Sequence, residues 1–232
     1  GRMGDAASAL ALFSETDEKA VFDLSARLTA YNQERQQRCD ELYAQAKAKL
    51  ALRGAYCRVI MLWDESWNSG FVGIVAARLA EEYGRPVILF VNNGGMLKGS
   101  ARSIEGVNIF EALRACSEFI SEFGGHSQAA GVNVSEENFA LLEEAMNNYM
   151  EEKYTAEDFI PTIYISGEFG GENVIRLSHE LEMFEPYGVG NKRPLFCAEV
   201  TTCKPRPIKP LSSHLTFKCG ALEMMYFGGA KY

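Results

Sequence analysis

Two short apolar runs, 57–63 (Cys-Arg-Val-Ile-Met-Leu-Trp) and 87–91 (Val-Ile-Leu-Phe-Val), constrain this chain more than any other feature. Runs so short and so continuous suit strands covered on both faces, the usual condition of a parallel pair. Between them Val72, Val75, Ala76, Leu79 and Tyr83 recur at helical spacing, and the pattern stops at Gly84 ahead of Arg85-Pro86. Strand, helix and strand in this compass make a βαβ unit, which places the chain in the α/β class.

The segments that follow carry the candidate chemistry. After a turn at Asn93-Gly94-Gly95 comes Leu97-Lys98-Gly99-Ser100-Ala101-Arg102-Ser103, too glycine-poor for a Walker loop. On a strand, however, Ser100 and Arg102 project from one face. A hydroxyl beside a guanidinium there makes a phosphate clamp; a surface edge strand fits the same residues. Next, Ile109, Ala112, Leu113, Cys116, Phe119, Ile120 and Phe123 repeat at three- and four-residue steps, which predicts a helix over 109–123 ended by Gly124 and Gly125. Two residues without a Cβ let an anion approach backbone N–H groups, and the His126 imidazole can donate to a phosphate oxygen. An ordinary helix end with an exposed histidine satisfies the same spacing. A strand around 130–134 is expected next, then a helix capped by Ser135 that buries Phe139, Leu142, Met146 and Tyr149 or Met150.

On either side of this core the pattern changes. A helix capped by Thr16 and closed near Gly54 spans about 50 Å at the helical rise. It is apolar at Val21, Leu24, Leu28 and Tyr31, polar over 33–38 and apolar again at Leu42, Ala46 and Leu50, as in a strut joining two domains. Residues 153–161 read as a linker. Beyond them strand character over 162–169, a helix over 174–184, a loop at 185–191 and strands at 195–202, 213–218 and 222–227 suit a small barrel or sandwich.

Composition narrows the function classes. No apolar run approaches the roughly 18 residues of a membrane span, and the opening residues show no basic region followed by an apolar core. A cytoplasmic protein without a membrane partner is expected. The six cysteines form no Cys-x-x-Cys pair, and the spacing of Cys197, Cys203, His214 and Cys219 matches none of the usual zinc patterns, so no metal site is expected. The net charge of −8 is unevenly spread: residues 1–191 carry −13 and residues 192–232 carry +5. An acidic body with a basic surface at Lys192, Arg193, Lys204, Arg206, Lys209 and Lys218 is compatible with nucleic acid, as with a plain solvated face.

Four motifs in order resemble one family. Trp67-x-x-Gly70-x-x-Gly73-Ile74-Val75-Ala76-x-Arg78-Leu79, Lys98-Gly99-Ser100-Ala101-Arg102-Ser103, Gly124-Gly125-His126-x-x-Ala129-Ala130-Gly131 and Glu185-Pro186-Tyr187-Gly188-x-Gly190-Asn191-x-x-Pro194 are similar to RecJ. These are single-strand-specific 5′→3′ DNA exonucleases of the DHH phosphoesterase superfamily, and the opening Gly1-Arg2-Met3-Gly4-Asp5-Ala6 resembles their segment before an interdomain helix. The resemblance implies the end of a DHH-domain segment plus the long helix over 1–54, a DHH-associated substrate-binding domain with a mixed central sheet over 55–152, and a small OB-like nucleic-acid-binding domain over 162–232. It implies that Arg2, Ser100 and Arg102 grip the 5′-terminal phosphate, that Gly124 and Gly125 line the site, and that His126 binds the phosphate about to be cleaved. The family's Mn²⁺ or Mg²⁺ is held by Asp and His motifs, including Asp-His-His, on an N-terminal domain, so this chain by itself is expected to be inactive. The implied partners are single-stranded DNA with a 5′ end and proteins of DNA repair and recombination. Two other readings stay open: a DHH phosphoesterase of oligonucleotides, cyclic dinucleotides or polyphosphate, and a non-catalytic nucleic-acid-binding module.

Overall fold

The chain divides between Pro161 and Thr162 into two units, and residues 3–4, 6–53, 57–170, 173–199, 204–208, 213–219 and 222–231 are described in a computed structural model. The first unit contains α1 (Ala7–Ser14), α2 (Glu18–Arg53), β1 (Ile60–Asp64), α3 (Ser69–Tyr83), β2 (Val87–Asn93), β3 (Met96–Arg102), α4 (Ile109–Ala115), β4 (Glu122–His126), β5 (Ala129–Ser135) and α5 (Phe139–Lys153). Its five-stranded sheet has the order β1-β2-β3-β5-β4, in which β1 and β2 are parallel and every other pair is antiparallel. The βαβ unit thus forms one side of a mixed sheet, and the hairpin-connected strands form the other.

Alternation along β1 and β2 divides the core in two. Met61, Ile88 and Phe90 face α4 and α5, where Ile109, Leu113, Leu142 and Met146 are fully buried. Ile60, Leu62, Val87, Leu89 and Val91 face the opposite way, onto Val72, Val75, Ala76 and Leu79 of α3 and Cys39, Leu42 and Ala46 of α2. Both faces of this pair are therefore covered, which explains why the two runs read as continuously apolar. The helix α3 is capped by Asn68, whose side chain accepts from Gly70 N, and closes at Gly84 in the left-handed conformation. As expected, Ser135 Oγ caps the turn that opens α5, accepting from Asn138 N; of the two end candidates Met150 is the buried one.

Three expectations change. Thr16 is not the cap of α2: the helix starts at Glu18, and Asp17 Oδ2 accepts from Ala20 N at 2.9 Å, because a carboxylate placed one residue later reaches the N3 amide. The run 57–63 begins its ladder only at Ile60, since Arg58 N and Val59 N donate instead to the Asn147 side chain of α5. The segment 153–161 is packed on the first unit. Phe159 is buried, the Arg58 and Arg85 guanidiniums lie 5.0 and 4.8 Å from its ring, and Tyr154 Oη accepts from Asn108 N.

The second unit holds β6 (Gly167–Glu168), α6 (Val174–Glu182), β7 (Phe196–Cys197), β8 (Arg206–Pro207), β9 (Leu215–Cys219) and β10 (Leu222–Tyr226). The antiparallel order β10-β9-β8 makes a small sheet, and β6 pairs parallel with β7. The strands expected at 162–169 and 195–202 shrink to two residues each among the described residues, because only those pair with a neighbour. The strand β8 has no apolar alternation to announce it; its Pro207 suits an edge, where a missing N–H breaks no ladder.

At the end of β1, burial by itself would raise the Asp64 carboxyl, but the Lys49 ammonium at 2.7 Å and the Ser66 hydroxyl and N–H hold it at about 2. A carboxylate whose folded value lies below the unfolded one of about 3.9 adds stability above that pH and loses it as pH falls toward 2. Urea denaturation should therefore find Asp64→Asn less stable than the parent at pH 5–7, with the gap closing as the pH approaches 2; a gap independent of pH would contradict the pairing.

Candidate nucleic-acid interface

The phosphate-clamp candidates owe their orientation to a glycine facing the other way. A Cβ on Gly99 would lie 2.5 Å from the Phe90 ring and 2.9 Å from Val132, so β3 lies flush on that side. Leu97 and Ala101 bury toward α4 and α5 with it. Lys98, Ser100 and Arg102 consequently project onto the α3 side of the sheet. There Arg102 Nη1 donates to Ser100 Oγ at 3.1 Å and to Ala101 O at 2.7 Å, so the hydroxyl and guanidinium form one unit. Lys98 is a third polar side chain in the same row, exposed, which the alternation of the strand already implied.

The Gly-Gly-His stretch is not a helix cap. The helix predicted over 109–123 stops at Ala115, a 3₁₀ turn covers Ser117–Phe119, and Gly124, Gly125 and His126 belong to β4. Cys116, Phe119, Ile120 and Phe123 all pack on the same core cluster, but from a helix end, a tight turn and a strand in succession. Their three- and four-residue spacing is an accident of that path. Ser127 and Gln128 then turn the chain, and β5 returns with Gly124 opposite Gly131 and His126 opposite Ala129. Gly125 sits at φ +149° where a Cβ would meet Ala129 O at 2.3 Å, so no other residue fits; a Cβ on Gly124 would meet nothing.

Register brings these groups together. Ser100 is opposite Gly131, which is opposite Gly124; Arg102 is opposite Ala129, which is opposite His126. Residues directly opposite share a face, so Ser100, Arg102 and His126 lie on one side of the sheet, with two glycines as the floor between them. Two strand spacings, about 10 Å, separate the Arg102 and His126 positions. Beyond α3 this face is uncovered: Gly124, His126 and Gly131 are exposed. His126 Nδ1 accepts a long bond from Gln128 N at 3.4 Å, which leaves Nε2 to carry the proton outward. Ser103 N donates to Gln128 O and Ile109 N to Ser127 O, both at 3.0 Å, tying the hairpin to the end of β3.

The second unit gathers a separate set of cations. Arg206 is opposite Thr216 and Lys218 opposite Glu223, which puts Arg206, Thr216, Lys218 and Glu223 on one face of the small sheet. With Lys204 they line a cleft of about 430 Å³. Phe217 lines the same cleft, although on the ladder Phe217 and Tyr226 alternate with Thr216 and Lys218. Lys192 and Arg193 take partners near their own loop: Lys192 lies over the Tyr164 ring, and Arg193 lies over Tyr187 and 3.6 Å from Glu185. Arg2 and Lys209 lie outside the described residues. Among the described residues no three His, Cys, Asp or Glu side chains converge as a metal site would require.

Residues 53–152, which hold the whole sheet and the Ser100, Arg102 and His126 face, match the DHHA1 domain. The sheet that carries these side chains is therefore a DHHA1 domain. Across its length the chain is 33% identical to the single-stranded-DNA-specific exonuclease RecJ of Bacillus subtilis (strain 168) over 197 residues, covering 84% of this chain and 25% of that protein. It is 32% identical to RecJ of Haemophilus influenzae over 162 residues, covering 67% and 28%. The crystal structure of RecJ in complex with Mg²⁺ from Thermus thermophilus aligns with a TM-score of 0.78 at 27% identity, covering 97% of this chain and 35% of that one. Within the DHHA1 proteins the chain belongs with RecJ, and it spans about a quarter to a third of the length of these relatives.

Because Gly125 combines a left-handed-side φ with backbone at 2.3 Å, Gly125→Ala should lower stability by about 2 kcal/mol or more. Thermal or urea unfolding measures this directly. Gly124→Ala, which meets nothing, is the control and should leave stability almost unchanged.

Proposed function

We propose that this chain is the substrate-holding part of a single-strand-specific 5′→3′ DNA exonuclease acting in DNA repair and recombination. One observation carries the reading: Ser100, Arg102 and His126 share a sheet face with a glycine floor between them. The Ser100 hydroxyl and Arg102 guanidinium hold the 5′-terminal phosphate through charge-assisted bonds, and end recognition of this kind sets the direction of attack. His126 Nε2 donates to a phosphodiester oxygen further along the strand. Two anion-binding groups about 10 Å apart suit a chain of phosphates better than a single one. Arg2 is assigned to the terminal phosphate from the RecJ resemblance alone.

The second unit, read as an OB-like domain, adds a grip on the strand backbone through Lys204, Arg206 and Lys218. These cations would follow the charge of the backbone, which every sequence shares. RecJ structures from Thermus thermophilus contain Mg²⁺ or Mn²⁺, and the intact enzyme is proposed to hydrolyse the phosphodiester with the same ions. The part we assign to this chain is to bind and orient the strand. A cytoplasmic location goes with this reading; among the described residues no helix is long and apolar enough to cross a membrane.

In the intact enzyme, Arg102→Ala should reduce kcat/KM for 5′-phosphorylated single strands about tenfold to a hundredfold more than for 5′-hydroxyl ones, the effect of a lost bond to a charged group. Equal losses on both substrates would remove the end-recognition role. In binding titrations across salt, replacing Lys204, Arg206 and Lys218 together by Ala should flatten the log–log slope by about 2, at roughly 0.7 per phosphate contact. An unchanged slope would remove the second unit from the interface.

A further inference from the structure

The Gly70-x-x-Gly73 segment of α3 holds a residue whose value lies in the space it leaves. Gly70 belongs to the helix cap, its N–H bonded to Asn68 Oδ1 at 2.8 Å. Gly73 does something else. A Cβ placed there would lie 2.8 Å from Ser100 Oγ and 3.0 Å from Arg102 Nη2. The first contact is closer than a Cβ tolerates and the second is tight, so any other residue at 73 must displace the Ser100 hydroxyl and shift the Arg102 guanidinium by a few tenths of an ångström. The atoms that would move are the ends of two side chains, and the backbones of α3 and β3 can stay where they are.

We infer that Gly73 is a specificity-determining position of the Ser100–Arg102 site: its missing side chain lets the hydroxyl and guanidinium sit against α3 in the paired arrangement that receives a terminal phosphate. The inference rests on the proposed reading of that pair as the end-phosphate clamp. Three observations meet here. Arg102 Nη1 is held 3.1 Å from Ser100 Oγ, the register of β3 points both side chains at α3, and the helix surface beneath them is bare. Alanine at 73 would fill that surface while favouring the helix, since alanine is the better helix former. Binding and stability should therefore move in opposite directions, which a merely structural glycine would not produce.

The test uses Gly73→Ala, Arg102→Ala and the double variant in the intact enzyme, with single strands ending in a 5′-phosphate or a 5′-hydroxyl. In Gly73→Ala the ratio of kcat/KM for the two substrates should fall about tenfold, the scale of one charge-assisted hydrogen bond. Its melting temperature should be unchanged or raised, and the double variant should discriminate no worse than Arg102→Ala. If Gly73→Ala keeps the parental ratio while Arg102→Ala loses it, the inference fails and the clamp reading stands. If neither variant changes the ratio, both fall. A melting temperature lowered by more than about 5 °C would show that backbone gives way in place of the two side chains, which also overturns the inference. Independent, additive losses in the double variant would overturn it as well.

Discussion

The seating of the Phe90 ring over Gly99 is the contact on which the rest of the sheet depends. Phe90 and Gly99 are direct partners across β2 and β3, and the ring occupies the volume that any side chain at 99 would need. On its far side the ring meets Phe139 of α5 edge to face, with centroids 5.5 Å apart. A slip of one residue would place Ser100 or Lys98 under the aromatic ring and turn Ser100 and Arg102 to the opposite face. The register that buries the core is thus the same register that presents Ser100 and Arg102 on the opposite face.

One face of the sheet changes character across its width. Under α2 and α3 it is apolar, through Leu62, Leu89 and Val91; on β3 it turns polar at the half-buried Ser100 and Arg102 beside α3, and past β3 it becomes two glycines and His126, open to solvent. The helices cover only part of the sheet, and the uncovered remainder is where a ligand can approach. Support comes from behind and from the side. Ala130, Val132 and Val134 anchor β5 to the core, and the bonds from Ser103 and Ile109 to the hairpin turn hold His126 in a set relation to Arg102. The face that carries these side chains is accordingly built on strands, where positions are better defined than on free loops.

Part of this was legible in the chain. The apolar runs around Ile60 and Val87 follow directly from strands with both faces covered, and the alternation of Ser100 and Arg102 follows from strand geometry. Both are local periodicities, and a local rule decides them. The stretch from Cys116 to Phe123 was not legible, because burial on one core produces the same spacing whether the path is helix, turn or strand. Nor could residue order show that Gly124 would lie opposite Gly131, or that Arg206 would lie opposite Thr216.

By itself, then, the sequence determined the βαβ unit, the polar strand with its serine and arginine, the glycine-histidine stretch and the basic end of the chain, since these depend on residue types at short separations. The tertiary structure decided which of them meet. Pairing of β3 with β5 and of β5 with β4 joins residues about 25 positions apart into one face, and packing of α3 on β3 brings Gly73 to Ser100 and Arg102. The reason is physical: side-chain direction is set locally by the pleat, but neighbourhood is set by which strands find partners and which surfaces a helix can approach without a clash.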